Sequence, residues 1–164
     1  MSKTEKNLQE AFAGESQANR KYLAFAKKAD EEGYKQIARL FRAAAEAETV
    51  HAHSHLKEMN GIRSTKDNLA AAISGETHEF RSMYPQMIAE AAAEGIKGAL
   101  RSFNYANEVE KVHAELYQKA FDNIGKNPDI EYYVCQVCGN TIENEPPDAC
   151  PVCKSTGKMF KKVD

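Results

Sequence analysis

The stretch EAETVHAHSH, Glu46–His55, sits in an alanine-rich helical run and carries Glu48 and His51 three residues apart. Residues at that spacing share one face of a helix. The stretch EVEKVHAEL, Glu108–Leu116, repeats the pairing at Glu110 and His113. One such pair is unremarkable; two at matching places in the chain need a cause.

The cause is an internal duplication. NLQEAFAGE at 7–15 matches NLAAAISGE at 68–76, an offset of 61. The offset then becomes 62: Tyr22 falls on Tyr84, Glu32-Gly33 on Glu94-Gly95, Phe41 on Phe103, and the two Glu-x-x-His pairs on each other. Between Glu76 and Tyr84 the second copy has therefore gained a residue. A helix absorbs one extra residue most easily as a π-bulge, a feature that clusters at functional sites. The spacing predicts such a bulge here, in the interval that contains Glu79.

Four helical segments precede the cysteines, over about 4–32, 34–60, 64–94 and 96–124. Gly33, Asn60-Gly61 and Gly95 act as stops, and Ser64 or Thr65 as the N-cap of the third segment. Pro85 should kink that segment. Apolar residues recur at helical spacing, as in Ile37, Leu40, Phe41 and Ala44. Segments of about 25 to 30 residues make helices of about 40 Å. A mainly α architecture, a four-helix bundle, buries all four stripes. The expected domains are the bundle at 1–128 and a small metal module at 129–164, joined through Gly125, Asn127 and Pro128.

The repeated mid-helix positions hold Glu15; Glu48 and His51; Glu76 and Glu79; and Glu110 and His113. A glutamate from each of two helices with a Glu-x-x-His from each of the other two is the ligand set of di-iron and di-manganese carboxylate bundles. Five carboxylates buried together would repel and resist desolvation unless cations neutralise them. Two divalent ions do so, and mixed carboxylate–imidazole ligation suits iron or manganese. For any one glutamate an ordinary solvated helix face is the simpler explanation; the duplication and the paired spacing outweigh it. His53, His55 and His78 read as surface residues.

All four cysteines lie between residues 135 and 153. YVCQVCGN and ACPVCKS place Cys135-x-x-Cys138 and Cys150-x-x-Cys153 with eleven residues between the pairs. A disulfide framework would spread its cysteines through the chain; two knuckles make a tetrahedral site for iron or zinc. An iron there transfers electrons, whereas zinc would only hold the module folded, and composition does not separate the two.

The 164 residues are 42% hydrophobic and 28% charged with a net charge of −2, values of a soluble globular protein with no call for nucleic acid or an anionic membrane as partner. No apolar run is long enough to span a bilayer and MSKTEKNLQE lacks a signal peptide's apolar stretch, so a cytoplasmic location is expected.

The motifs GESQANRKY, AEAETVHA, GETHEF, MYP, EVEKVHAELY, YVCQVCG and CPVC together resemble the rubrerythrins, over nearly the whole chain. The resemblance implies a ferritin-like di-iron bundle followed by a rubredoxin-like module of β-strands and knuckles holding one iron. It implies metal ligands at Glu15, Glu48, His51, Glu76, Glu79, Glu110 and His113, with Glu48 and Glu110 bridging two irons. One iron would move between Glu79 and His51 as its oxidation state changes. Cys135, Cys138, Cys150 and Cys153 would hold the third iron. Tyr22 and Tyr84 match family tyrosines that donate hydrogen bonds to ligand carboxylates. The implied activity is reduction of hydrogen peroxide to water. The electrons would come from a reductase using NADH or NADPH, or from a rubredoxin, and pass through the four-cysteine iron in defence against oxidative stress.

Two other functions compete. A ferroxidase or iron-handling protein using oxygen would need no electron feed, and the cysteine module argues against it. A simple electron carrier would fill its bundle with Leu and Ile rather than seven ligands.

In a ferritin-like bundle the second and third helices run parallel, so their connection must travel the bundle's length. The five or six residues around Gly61–Thr65 reach roughly 20 Å. Either the four helices run up-down-up-down within one chain, or the halves of two chains exchange to give a domain-swapped homodimer. The second keeps the ferritin-like ligand geometry and is the expectation.

Overall fold

The computed structural model describes residues 1–163 and contains five α-helices and a three-stranded sheet among them. Asp164, the last residue of the expected metal module, lies outside the described residues. The chain divides into two compact units, Met1–Arg63 and a second that starts at Ser64.

The first unit is a helical hairpin. Helix α1, Lys3–Glu31, starts at Ser2, whose hydroxyl accepts from the Glu5 N–H while the Glu5 carboxylate accepts from the Ser2 N–H. This capping box satisfies two N–H groups that the helix itself leaves unpaired. Gly33 turns the chain at φ +86°, a conformation open to glycine at no steric cost. Helix α2, Lys35–Glu58, follows, and Asn60 at φ +55° ends it. The buried residues of α2, Ala38, Ala45 and Ala52, recur every seven positions, and Ala26 and Ala29 are buried on α1. Small side chains on such a seam let the two backbones approach closely. Asn19 pins the pair: its buried Nδ2 donates to the Ala45 carbonyl at 2.7 Å and to Thr49 Oγ1 at 2.8 Å.

The second unit opens at Ser64, whose hydroxyl accepts from the Asp67 N–H and caps α3, Thr65–His78. The third helical segment is not continuous. A π-helical turn, Glu79–Met83, separates α3 from α4, Tyr84–Ala93, and the Tyr84 N–H reaches back to the Glu79 carbonyl. The extra residue found by comparing the two copies is taken up there. Pro85, where a kink is expected, stands just after that turn, in the first turn of α4, where its missing N–H needs no partner. Gly95, at φ +71°, repeats the turn of Gly33, and α5, Lys97–Asp122, follows. The hydrogen bonds repeat too: Tyr34 N–H to Ala29 O is 2.8 Å and Ile96 N–H to Ala91 O is 3.0 Å.

Beyond α5 three strands form an antiparallel sheet in the order β2-β1-β3: β1 Tyr132–Cys135, β2 Thr141–Glu143 and β3 Phe160–Val163. Tyr133 pairs with Ile142, and Cys135 with Phe160. Cys135, Asn140 and Cys150 are fully buried and form the centre of this module.

Candidate metal centres

Within the first unit, Glu15 from α1 and Glu48 and His51 from α2 bring one ligand atom each within 4.8 Å of one another. Within the second, Glu76 from α3 and Glu110 and His113 from α5 do the same. The two sets are near-copies. His51 Nδ1 lies 3.0 Å from Glu48 and 4.0 Å from Glu15; His113 Nδ1 lies 2.8 Å from Glu110 and 3.9 Å from Glu76. Donors about 2.1 Å from a shared ion stand about 3 Å apart when adjacent and about 4 Å apart when opposite. Both sets fit a divalent ion on that measure.

The tyrosines repeat as well. The Tyr22 and Phe41 ring centroids are 6.2 Å apart, and those of Tyr84 and Phe103 are 6.3 Å apart. Burial raises the Tyr84 hydroxyl above its ordinary acidity range, and the charges of Glu110, Glu79 and Glu76 add to the shift.

One sequence-based expectation needs correction. The carboxylates are not deeply buried within their units: the side chains of Glu15, Glu48, Glu76 and Glu110 are partly exposed, and His51 is 56% exposed. A two-helix hairpin provides only one wall for its ligands. The acids of the second unit still feel one another. Burial, with a hydrogen bond to Glu110 and the charges of Glu110 and Glu79, pushes Glu76 up to about 7. Glu79 is raised by burial and by Glu110. It stands at the first residue of the π-turn, outside the close three-donor set.

The four cysteine sulfurs also converge within 4.8 Å, with Cys135 and Cys153 at 3.7 Å and Cys138 and Cys150 at 3.6 Å. Sulfurs about 2.3 Å from a tetrahedral ion stand about 3.8 Å apart, so this set fits a metal. Burial pushes the Cys135 thiol up, but the Ser155 hydroxyl and the N–H groups of Val137 and Cys138 outweigh it and hold the thiol at about 6. Paired half-sites of Glu-x-x-His with a third glutamate, followed by a four-cysteine centre, are the signature that decides the family. The family model for rubrerythrin matches residues 6–121, and that for the rubrerythrin rubredoxin-like domain matches 133–161.

The chain belongs to the rubrerythrin family.

Its relatives agree. Rubrerythrin-2 of Clostridium acetobutylicum is 40% identical, covering 89% of each chain. Nigerythrin of Nitratidesulfovibrio vulgaris is 38% identical over 92% of this chain and 81% of its own. A solved structure of partially reduced nigerythrin superposes with a TM-score of 0.61 at 35% identity, covering 99% of this chain and 88% of that one. The fold is accordingly ferritin-like with a rubredoxin-like module. As a rubrerythrin the chain is an oxidoreductase that takes two irons at its glutamate and histidine set and one at its four cysteines.

Residue spacing had no means of finding what joins the module to α5. Thr141, in β2, lies with its Oγ1 2.9 Å from His113 Nε2, the ring nitrogen opposite the one that faces Glu110. The same hydroxyl lies 3.3 Å from the Gly139 carbonyl. Lys119 of α5 bonds to Glu143 of β2 beside it. Leu69, His113, Leu116, Tyr117, Tyr132 and Thr141 line a cavity of about 330 Å³ at this junction. A lone threonine after a cysteine knuckle carries no pattern that would mark it.

Among the described residues no helix is long and apolar enough to cross a membrane.

Proposed function

We propose that this rubrerythrin is a peroxidase that reduces hydrogen peroxide to two waters. Each turnover consumes two electrons and two protons. The electrons come from NADH or NADPH through a reductase or rubredoxin and enter by the four-cysteine centre. One observation carries the reading: the hydroxyl of Thr141 ties the cysteine module to His113, one of the metal-binding residues. An iron-storage protein has no use for that junction. The solved nigerythrins support a redox role, since their states run from mixed-valent to all ferrous.

Glu15, Glu48, His51, Glu76, Glu79, Glu110 and His113 would hold the two irons, with Glu48 and Glu110 shared between them. When bound, the irons supply the two electrons that peroxide cleavage needs and the positive charge that keeps the carboxylates ionised. Glu79, at the first residue of the widened turn, would be the ligand that exchanges with His51, and such turns cluster at functional sites. Tyr22 and Tyr84 donate hydrogen bonds to ligand carboxylates. Thr141 meets His113 Nε2 and so leaves Nδ1, which faces Glu110, as the nitrogen that would bind metal.

The working form is a homodimer in which α1 and α2 of one chain complete the half-site on the second unit of another. Six residues, Met59–Ser64, join the halves, and they reach roughly 20 Å. The first unit leaves Leu23, Phe25, Ile37 and Leu40 exposed, an apolar surface that a second hairpin would cover. The domains run 1–128 and 129–164, and the protein works in the cytoplasm against oxidative stress.

Rapid mixing of the anaerobically reduced, iron-loaded protein with hydrogen peroxide, and separately with oxygen, tests the activity. Fast return of the ferric–thiolate colour with peroxide and slow return with oxygen is expected. A fast response to oxygen alone would make the protein a ferroxidase. Substitution Glu79→Ala should abolish peroxide turnover while the spectrum of the cysteine site stays unchanged; undiminished turnover would remove Glu79 from the mechanism.

A further inference from the structure

The two cysteine knuckles are built alike. Cys135 accepts hydrogen bonds from the Val137 and Cys138 N–H groups, and Cys150 from those of Val152 and Cys153. Cys138 accepts from the Asn140 N–H and Cys153 from the Ser155 N–H. The Cys135 N–H donates to Asn140 O at 2.9 Å and the Cys150 N–H to Ser155 O at 2.7 Å. Gly139 and Lys154 both take positive φ, at +84° and +63°. Asn140 and Ser155 are therefore equivalent residues on the two halves of the site.

Their side chains break that equivalence. The Ser155 hydroxyl lies 3.0 Å from Cys153 Sγ and 3.4 Å from Cys135 Sγ, one sulfur from each knuckle. Asn140 is 1% exposed, and its Nδ2 has no acceptor. A thiolate bound to a metal has no proton to give, so the Ser155 O–H is the donor and both sulfurs accept. Cys150 and Thr156 fix its backbone, through Cys150 N–H to Ser155 O and through the bridge of Thr156 to Ala149. The hydroxyl is thus held in place before any electron arrives.

We propose that Ser155 is a positioning residue that raises the reduction potential of the four-cysteine iron. Reduction adds one electron, taken from the donor, to a centre whose four thiolates already outweigh the charge of ferric iron. The centre becomes one unit more negative and no proton moves. A hydroxyl hydrogen on two of its sulfurs stabilises the more negative, ferrous state, and hydrogen bonds to cysteine sulfurs are among the factors that set the potentials of iron–thiolate centres. The inference rests on iron at this site but not on peroxide as the substrate.

The test is an anaerobic redox titration of the full-length, iron-loaded protein, following the ferric–thiolate absorption in wild type and in S155A, S155T and S155V. The last two have the same shape and differ only in the hydroxyl. S155A and S155V should favour the ferric state about tenfold relative to wild type, about 59 mV for one electron. S155T should stay near wild type. Equal potentials for S155T and S155V, or for S155A and wild type, would overturn the proposal. So would a site that develops no ferric–thiolate band after loading with iron. A hydroxyl-dependent shift in a protein that fails to turn over peroxide would uphold the proposal and refute only the peroxidase reading.

Discussion

Thr141 joins the cysteine module to His113. Its hydroxyl meets His113 Nε2, and groups that orient a ligating histidine typically account for 10–100-fold in metal affinity or activity. Thr141→Val keeps the shape and removes that bond. We expect iron affinity at the di-iron site to fall about tenfold while the cysteine site keeps its colour; unchanged affinity by competitive chelation would show that the ring needs no such guide. Glu76 makes a prediction of a different kind. Its folded pKa, about 7, lies above the ordinary 4.5, so the folded metal-free protein favours the protonated acid. The stability it contributes is complete below the ordinary value and is lost as pH rises through about 7. Thermal melts of the metal-free protein should therefore fall across that window, and Glu76→Gln should flatten the trend. A profile indifferent to pH in the wild type would mean that burial and the neighbouring Glu110 and Glu79 do not raise Glu76 as described.

Among the elements, the π-turn has the clearest consequence. Glu79–Met83 contains the residue that the second copy gained, and it begins at Glu79, where the first copy has Ala18. Deleting Ser82 would restore the ordinary helix of the first copy, where seven positions lead from Glu15 to Tyr22 and Glu15 still lies 4.0 Å from His51. Glu76 would keep its place opposite His113, and what the deletion removes is the widened turn that begins at Glu79. We expect helical content by circular dichroism to survive and iron at the glutamate and histidine set to be held less tightly. Full iron binding in the deletion variant would mean that the bulge is a passive scar of the duplication.

At the scale of the whole molecule, the short connection between α2 and α3 governs assembly. Six residues cannot run the length of a 40 Å helix, so the ferritin-like arrangement is expected to form by exchange of halves between two chains. Wild-type protein should sediment as a dimer. Inserting about 15 Gly and Ser residues after Gly61 should permit an iron-loaded monomer, because the longer linker can span the bundle. A wild-type monomer that binds both irons would rule out the exchange.

Sequence alone determined what periodicity and chemical type can encode. The duplication, the glycine stops, a cap at Ser64 or Thr65, the position of the bulge and the two knuckles follow from spacing and from what each side chain permits, and so do the two Glu-x-x-His pairs. The tertiary structure decided what depends on distant residues meeting. It placed Thr141 on His113, set the Ser155 hydroxyl between two sulfurs, locked Asn19 onto α2, and left the carboxylates of both half-sites partly exposed. Such contacts leave no pattern in a chain, because a single hydroxyl or amide gains its role only from what folding brings within about 3 Å of it.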